Sequence, residues 1–395
     1  MNILITLSRF PFPTDKGDKL RAFFQIRELA KKHSIYLICL SDVSISESDL
    51  DKVRPYCKEI AILSIKKSQI YKQLLNGIFS QLPFQVHYFT SLEMKSVIGQ
   101  WVKKYSIDLI YVQLIRLMQN VPVDLNVPIY IDYMDALSAG MQKRYKYSMF
   151  YEKPMVYIEY KRLVYAEQWV ANHYQGFSII SKQDCNFLPQ SIQSQVDVIP
   201  NGVSTAFLET QPSIHKEYDI IFTGNMGYHP NVVAAKFLVE KVLPLLLLKG
   251  LQPKICLAGT SPSKEVLKLK SEYVTVTGFV PDIKTYIAQS KVCVAPLFSG
   301  SGLQNKLLEA MACGIPAITT TLANEALGGI DGENVFIANT AEVFASKIEY
   351  LLQHKDVAEE IGLEGKKYIA NYYDWGKINS QLETAFEKIV NPIQA

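Results

Sequence analysis

The residues best placed to do chemistry lie in one segment, KVCVAPLFSGSGLQNKLLEAMACGIPAITT, between positions 291 and 320. Its pattern predicts a buried strand at Lys291–Pro296, a glycine-rich loop at Ser299–Gly302 and a helix at Leu303–Cys313. A glycine loop that opens a helix after a parallel strand presents backbone N–H groups and a positive dipole end to an anion. The segment therefore predicts an anion-binding site.

Two charged side chains accompany this loop. Lys306 falls in the first turn of the predicted helix, where the macrodipole disfavours a cation unless a bound anion compensates. Glu309 follows three residues later on the same face, and an isolated carboxylate in so apolar a run is costly to bury without a partner. A phosphate attached to a hydroxyl-bearing sugar suits these features and predicts a nucleotide site. An ordinary glycine loop with a glutamate that reaches solvent is the alternative.

Short apolar strands alternate with helical periods along the chain, the pattern of doubly wound parallel sheets. A chain of 395 residues exceeds the usual size of one hydrophobic core, so we expect two domains. The strands are predicted at Asn2–Ser8, Ile35–Leu40, Glu59–Ser64, Ile107–Val112, Pro128–Asp132, Ser178–Ile180, Val196–Ile199, Tyr218–Gly224, Lys254–Ala258, Val274–Thr277, Val292–Ala295 and Ala317–Thr319. The polar, turn-forming stretch 204–217 is predicted to link the two domains.

Composition narrows the class of protein. A hydrophobic content of 48% supports packed cores, and a net charge of +3 is too small to indicate nucleic-acid binding. The six cysteines form no Cys-x-x-Cys pair, and Cys39, Cys256 and Cys293 fall inside predicted strands as buried thiols of a reducing compartment. Because Met1–Ser8 already has the pattern of a strand and no apolar run reaches 18 residues, we expect a cytoplasmic protein without a signal peptide or membrane span.

The string GLQNKLLEAMACGIP resembles the donor-binding signature of the family 4 retaining glycosyltransferases (glycosyl transferases group 1). The resemblance implies that the matching Lys306 contacts the diphosphate of a nucleotide sugar and that Glu309 contacts the ribose diol. It also implies the GT-B fold, an α/β architecture of two Rossmann-like domains facing across a cleft. The remaining donor-site residues implied by the loop are Ser301, Gly302, Leu303, Gln304 and Asn305.

The resemblance extends along most of the chain. PNGV at 200–203 is similar to the segment that closes the family's first domain, and IFTGNMGYHP at 221–230 to the first strand and loop of the donor domain. Val280 follows Gly278 in a loop similar to the one that receives the nucleotide base. The last helix, at 376–395, is expected to cross back to the first domain. The implied domains are 1–203 with 376–395 for the acceptor and 218–375 for the donor, joined by 204–217.

Three departures from the family pattern concern the chemistry. The family's first glutamate is replaced by Ser301, whose hydroxyl cannot hold a sugar diol as a carboxylate does. Where many members have an arginine and a lysine, this chain has Asn225, and its first cationic candidate is His229, for which a surface turn is the alternative. The family's histidine–aspartate pair is replaced by Met134–Asp135. Asp135 either orients the acceptor or sugar in catalysis or caps the following helix, the latter being slightly favoured; Asp132 is a second candidate.

The acceptor side is predicted in the loop SRFPFPTDKGDKLRAFF, after the first strand. Loops at the carboxyl edge of a parallel sheet are where such folds bind ligands. The segment resembles the family's glycine-containing loop, which implies that the backbone of Gly17 contacts donor phosphate or acceptor. Asp18 is a further acceptor candidate, and Arg21 is a candidate ligand of an acceptor phosphate. A charged capping turn is an equally weighted alternative.

A basic and aromatic segment, QKRYKYSMFYEKPMVYIEYKR at 142–162, suits the interface of an anionic membrane. A solvated basic face packed on its own tyrosines is the alternative. Many members of the family use lipid-linked acceptors at the inner face of the bacterial membrane, so peripheral association is an expectation here.

Together these features predict a glycosyltransferase that moves a sugar from a nucleotide-diphosphate sugar to a glycan or lipid-linked acceptor in bacterial surface polysaccharide synthesis, with retention. No cofactor and no metal are expected, since no Asp-x-Asp lies on a loop at a strand end. A same-fold epimerase or phosphorylase, and a non-catalytic nucleotide- or sugar-binding protein, are the alternatives. A dinucleotide-dependent oxidoreductase is disfavoured because no G-x-G-x-x-G follows the first strand.

Overall fold

The computed structural model describes residues 1–210, 212, 215–299 and 302–391. The chain divides into two compact units. The first unit is Met1–Pro200 together with the C-terminal stretch from Trp375, and the second is Asn201–Asp374. The segment 204–217, predicted as a linker, falls in the second unit and carries a short helix at Thr205–Leu208.

Both units contain one parallel sheet with the same strand order. The seven strands of the first sheet are β1 (Asn2–Leu7), β2 (Ser34–Ser41), β3 (Glu59–Ser64), β4 (Leu109–Gln113), β5 (Ile129–Asp132), β6 (Gly176–Ile179) and β7 (Val196–Val198), in the order β3-β2-β1-β4-β5-β6-β7. The six strands of the second are β8 (Tyr218–Thr223), β9 (Ile255–Ala258), β10 (Val274–Gly278), β11 (Ser290–Ala295), β12 (Ala317–Thr319) and β13 (Phe336–Ile337), in the order β10-β9-β8-β11-β12-β13. The strand order reverses between β1 and β4 and between β8 and β11, and such reversals are where doubly wound sheets bind ligands.

Helices connect the strands in both units. In the first unit they are α1 (Gly17–Leu29), α2 (Glu47–Val53), α3 (Lys67–Gly77), α4 (Phe84–Phe89), α5 (Leu92–Lys104), α6 (Leu137–Tyr147), α7 (Lys153–His173) and α8 (Lys182–Cys185). In the second they are α9 (Thr205–Leu208), α10 (His229–Phe237), α11 (Leu243–Leu248), α12 (Lys264–Leu267), α13 (Ile283–Ala288), α14 (Asn305–Ala312), α15 (Thr321–Leu327), α16 (Ala341–Gln353) and α17 (Lys355–Tyr372). The last helix, α18 (Trp375–Val390), belongs to the first unit, where Trp375 stacks on Phe24 at 5.3 Å.

Each sheet is buried by helices on both faces. In the second unit, one continuous cluster includes Ile220, Leu257, Val292 and Ile318 from four neighbouring strands, all without solvent exposure. Strands covered on both faces have continuous apolar runs instead of alternation, which is why their positions were recognisable in the sequence.

The predicted fold class is confirmed, and all twelve predicted strands are present within a few residues. The two-residue strand β13 was not predicted, because a segment that short carries no periodicity. The helical stretch after β8 begins at His229 and passes through a π-helical turn at Leu238–Val242. Pro244 follows, whose ring cannot fit a regular helix interior, and the wider turn accommodates it.

Cys39, Cys256 and Cys293 are buried thiols in β2, β9 and β11, as predicted. Within the described residues, no helix is both long enough and apolar enough to cross a membrane.

Candidate functional site

The candidate site of the second unit is the N-terminus of α14, which follows β11, next to the connection from β8 to α10. This is the point where the strand order of the second sheet reverses. Gly302 precedes the helix with a φ of 78°, a conformation that favours glycine. Lys306 is the second residue of α14, so its cationic group lies in the first turn, as the sequence predicted.

Lys306 is buried, and its Nζ donates a 2.6 Å hydrogen bond to Oδ1 of Asn231 on α10. The ammonium also lies 4.8 Å from the ring centroid of Phe222, at the end of β8. Asn231 in turn donates from Nδ2 to the carbonyl oxygen of Asn225, at 2.9 Å. A neutral amide therefore joins the buried cation to the loop that follows β8.

Close packing fixes that loop. Gly224 has a φ of 147°, and a Cβ at Gly259 would lie 1.8 Å from the Gly224 carbonyl oxygen. The loops after β8 and β9 therefore lie so close together that no side chain fits at Gly259. The backbone of Asn225 is thereby held where Asn231 can bind it.

Burial shifts the pKa values of both charged groups of α14. It lowers the pKa of Lys306 to about 8, an effect that the nearby Cys293 and Glu309 only partly oppose. It raises the pKa of Glu309 to about 7, against the attraction of Lys306. Within the described residues, neither group has a charged partner within ion-pair distance and Glu309 accepts no hydrogen bond. Both groups are therefore poorly neutralised in the ligand-free protein.

The other predicted donor residues differ in how far they are buried. Leu303, Gln304 and Asn305 are half-buried, and Asn305 accepts a 3.4 Å hydrogen bond from Asn201. Ser301 lies outside the described residues. Asn225 and His229 are exposed in the loop after β8 and at the first position of α10. Val280 is half-buried two residues after the end of β10. These assignments stay predictions.

In the first unit, the structure contradicts the predicted role of Arg21. Its side chain is completely buried on α1 and forms a two-armed ion pair with Asp132 at the end of β5, at 2.5 and 3.2 Å. It also donates to the carbonyl oxygen of Pro200 at 3.0 Å. An arginine whose guanidinium is held by an internal carboxylate is not available to an acceptor phosphate. Arg21 instead ties α1 to the centre of the sheet.

Asp132 collects the remaining contacts of this buried network. It accepts hydrogen bonds from the hydroxyls of Tyr111 and Ser178 and from the backbone N–H of Met134. Met134 has a φ of 61°, unusual for a methionine, and the bond from its N–H to Asp132 helps to hold that turn. Asp132 therefore fixes the loop that carries Asp135.

The capping role slightly favoured for Asp135 is wrong. The residue before α6 is Ala136, whose side chain makes no capping hydrogen bond; instead the carboxylate of Glu167, on α7, accepts from the N–H of Ser138 at 3.1 Å. Asp135 is half-buried, and burial together with the nearby Asp184 raises its pKa to about 6. Asp135 therefore places a carboxyl group at the carboxyl edge of the sheet, and this group does not cap a helix.

Two arginines that the sequence analysis missed lie at the same edge. Arg9 pairs with Asp18 at 2.8 Å, and the guanidinium groups of Arg9 and Arg116 lie 5.9 and 5.7 Å from the ring centroid of Phe89. Burial and the neighbouring Arg9 lower the pKa of Arg116. Asp18 is thus engaged by Arg9 while Gly17, the first residue of α1, is exposed.

Only the strand-end positions of Arg9 and Arg116 marked them in the sequence.

Among the described residues, no group of three or more histidine, cysteine, aspartate or glutamate side chains is arranged to hold a metal ion.

Comparison with protein families finds a match in the second unit. Residues 217–354 match the family model described as glycosyl transferases group 1. Most of the second unit is therefore similar to this family, and Lys306 and Glu309 both lie inside the matched residues.

Known proteins extend the likeness to the whole chain. A Klebsiella pneumoniae protein described as an uncharacterized 44.6 kDa protein in the cps region is 20% identical over 96% of this chain and 98% of its own. The capsular polysaccharide biosynthesis glycosyltransferase CapM of Staphylococcus aureus is 25% identical over 44% of this chain and 49% of its own. The crystal structure of Anabaena HepE in complex with UDP covers 98% of this chain and 100% of its own, at 13% identity with a TM-score of 0.66.

The structural likeness shows the fold: two Rossmann-like α/β domains of the GT-B glycosyltransferase type. The group 1 match and the similarity to CapM both point to glycosyltransferases as the proteins that this chain resembles. The family match falls in the second unit, which carries the buried lysine.

Proposed function

We propose that the protein is a retaining glycosyltransferase that moves a sugar from a nucleotide-diphosphate sugar to a glycan or lipid-linked acceptor in bacterial surface polysaccharide synthesis. The observation that carries the proposal is Lys306, a buried cation at a helix N-terminus whose hydrogen-bond partner is the uncharged Asn231. Burying a cation without a counter-charge is unfavourable. A diphosphate would supply that charge when the donor binds.

The proposed chemistry follows from these positions. Breaking the sugar–phosphate bond builds negative charge on the departing diphosphate, which Lys306 and the N-terminal amides of α14 stabilise. In the retaining mechanism that we propose, the acceptor attacks on the leaving-group side and its proton passes to the departing phosphate. Glu309 holds the ribose hydroxyls, and Asp135 orients the acceptor hydroxyl.

The relatives support the biological setting. The first is described by its position in a cps region and the second as an enzyme of capsular polysaccharide biosynthesis. HepE was crystallised with UDP, which makes UDP-sugars the first donors to test. We place the reaction in the cytoplasm, where nucleotide sugars are made.

Thermal unfolding in the presence of UDP-, GDP-, ADP- and CMP-sugars tests donor binding. A donor at 100 times its dissociation constant stabilises the folded protein by about 2.7 kcal/mol. NMR of the product formed from the stabilising donor then gives the anomeric configuration. An inverted product refutes retention, and binding without transfer or hydrolysis favours a non-catalytic binding protein.

Metal independence is tested separately. Lys306 and backbone amides replace a divalent cation in this proposal, so transfer should continue in excess EDTA. Complete loss of activity that Mn²⁺ or Mg²⁺ restores would contradict this part of the proposal and leave the donor assignment standing.

The two same-fold alternatives give different products. A phosphorylase needs inorganic phosphate and releases a sugar phosphate, whereas an epimerase returns an isomeric nucleotide sugar without an acceptor. Separation of the products by anion-exchange chromatography distinguishes both from transfer.

A further inference from the structure

Large apolar side chains project into solvent from one side of the first unit. Phe79 is 95% exposed and Phe150 is 84% exposed, and Leu75 and Met155 are more than half exposed. Contiguous apolar surface of this kind is rare on soluble proteins and marks an interaction site. We call this the aromatic–basic surface. Its apolar members are Tyr71, Leu75, Ile78, Phe79, Phe150, Tyr151, Met155 and Ile158.

Contacts between α7 and the chain after α3 bring these residues together. Arg162 of α7 donates from Nη2 to the carbonyl oxygen of Ile78 at 2.8 Å, and its guanidinium lies 4.7 Å from the ring centroid of Phe84. Met155 and Ile158 precede Arg162 by seven and four residues, so the three lie on one helix face. The exposed end of α3 is therefore continuous with an exposed face of α7.

The α6–α7 hairpin extends the same surface. The rings of Tyr145 and Tyr157 lie 5.9 Å apart across the two helices, and Nζ of Lys153 lies 5.5 Å from the Tyr145 ring centroid. Phe150 and Tyr151 occupy the connection between α6 and α7, where both are exposed. Aromatic rings next to lysine ammonium groups are suited to the interface between water and lipid.

Charge is concentrated on these same segments. Residues 65–92 and 136–162 contain nine lysine and arginine residues and only two acidic residues, Glu152 and Glu159. Glu159 is buried and accepts hydrogen bonds from the backbone N–H groups of Phe84 and Gln85. Because the whole chain has a net charge of only +3, the remainder of the protein is net negative. The two segments that form the aromatic–basic surface thus carry a net positive charge.

We propose that the aromatic–basic surface binds the headgroup region of an anionic lipid bilayer. The exposed rings insert among the headgroups, while the lysines and arginines contact lipid phosphates. An acidic protein partner would account for the cations of this surface, but its charge would not explain why Phe79 is almost completely exposed. A bilayer accounts for both the apolar side chains and the surrounding cations. This inference stands independently of the donor chemistry proposed above.

Vesicle flotation of the full-length protein tests the proposal. One set of vesicles is phosphatidylcholine alone, and the other contains ~30% phosphatidylglycerol, which gives a negative surface potential. We expect binding to the anionic vesicles that weakens on raising the salt concentration. The double variant Phe79→Ser/Phe150→Ser should lower the partition coefficient at least tenfold (~1.4 kcal/mol or more, from apolar burial). Lys153→Gln should lower it about fivefold, the usual effect of one cation near such a surface.

Matched variants lie outside the surface. Leu248, at the end of α11 in the second unit, is 84% exposed, the same fraction as Phe150, so Leu248→Ser should leave vesicle binding unchanged. Lys355→Gln, at an exposed position at the start of α17, is the matched charge variant. Thermal melts with the stabilising nucleotide sugar check that each variant is folded and binds donor normally.

Failure of the wild-type protein to bind anionic vesicles overturns the proposal, as does equal loss of binding in the Leu248→Ser control. Self-association in sedimentation velocity that only Phe79→Ser/Phe150→Ser abolishes, without vesicle binding, would identify the surface as a contact between copies. Since donor binding is measured separately, none of these results bears on the proposed glycosyltransferase activity.

Discussion

Among the residues that the structure describes, each unit buries a cation beside the reversal of its strand order, and the two cations have different partners. Arg21, in the first unit, is held by the carboxylate of Asp132, which raises the pKa of the guanidinium against the effect of burial. Lys306, in the second unit, has an amide oxygen of Asn231 as its partner, and burial lowers its pKa to about 8. Both cations lie beside a reversal of strand order, but only Arg21 has a neutralising carboxylate within ion-pair distance.

The difference separates a structural cation from one that binds ligand. A buried ion pair leaves no net charge to attract an anion, and removing one partner exposes the other to full desolvation. A buried lysine with a neutral partner is instead destabilising until an anion arrives. We therefore expect Arg21 to matter for stability and Lys306 to matter for turnover.

The largest expected effect is on stability. Arg21→Ala leaves Asp132 buried without its counter-charge and should lower the free energy of unfolding by about 3–5 kcal/mol. Urea denaturation measures this. Arg54 is the matched control, because it pairs with Glu47 and Asp51 at 2.5 Å but is 55% exposed; Arg54→Ala should change the free energy of unfolding far less, because water screens an exposed ion pair. Similar losses in both variants would contradict the structural role of Arg21.

Lys306→Ala should lower kcat by ~10²–10³-fold, since its ammonium meets charge that develops as the glycosidic bond breaks. Its melting temperature should stay the same or rise, because a desolvated cation is removed. Lys347 is the control: its Nζ also lies 4.8 Å from a ring centroid, that of Phe336, but it is neutralised by Asp331 at 2.7 Å. Lys347→Ala should keep normal turnover, and a near-normal kcat in Lys306→Ala would remove that lysine from the mechanism.

Glu309→Gln should weaken binding of the free nucleotide while kcat at saturating donor changes little. The carboxylate is expected to accept hydrogen bonds from ribose hydroxyls, worth about 1.5–3 kcal/mol each when charge-assisted, and ribose keeps the same charge in the transition state. Calorimetric titration gives the dissociation constant. Glu342→Gln, at the exposed start of α16, is the control, and a dissociation constant unchanged by Glu309→Gln would end the ribose assignment.

The smallest effect is a pH dependence that only one of the two cations should show. Lys306 is charged below its pKa of about 8 and neutral above it, so nucleoside diphosphate binding should weaken as pH rises from 7 to 9. The limit is about tenfold per pH unit above the pKa. Lys306→Arg should flatten this profile because guanidinium stays charged. A profile that stays flat in the wild-type protein would contradict the lowered pKa of Lys306.

Much of the fold and part of the site could be predicted because their signals are local. Strands buried on both faces produced apolar runs, and the spacing of Lys306 and Glu309 placed both on one turn of α14. The interruption between α6 and α7 could also be anticipated from Pro154, which fits the first turn of a helix but not its interior.

The errors concern partners distant in sequence. Arg21 and Asp132 are 111 residues apart, and the helix end near Asp135 is bound by Glu167, whose hydrogen bond spans 29 residues. Asn231, 75 residues from Lys306, was missed for the same reason. No periodicity or spacing rule connects such pairs, because they meet only when strands and helices pack.

The sequence by itself determined that this chain forms two parallel α/β sheets and that a lysine and a glutamate share the helix after β11. Only the tertiary structure decided which cation remains without a counter-charge. Desolvation depends on how many atoms from the whole fold surround a group, and neutralisation depends on which distant side chain arrives beside it. Packing gave Asp132 to Arg21 and Asn231 to Lys306, and that difference separates the scaffold from the proposed donor site.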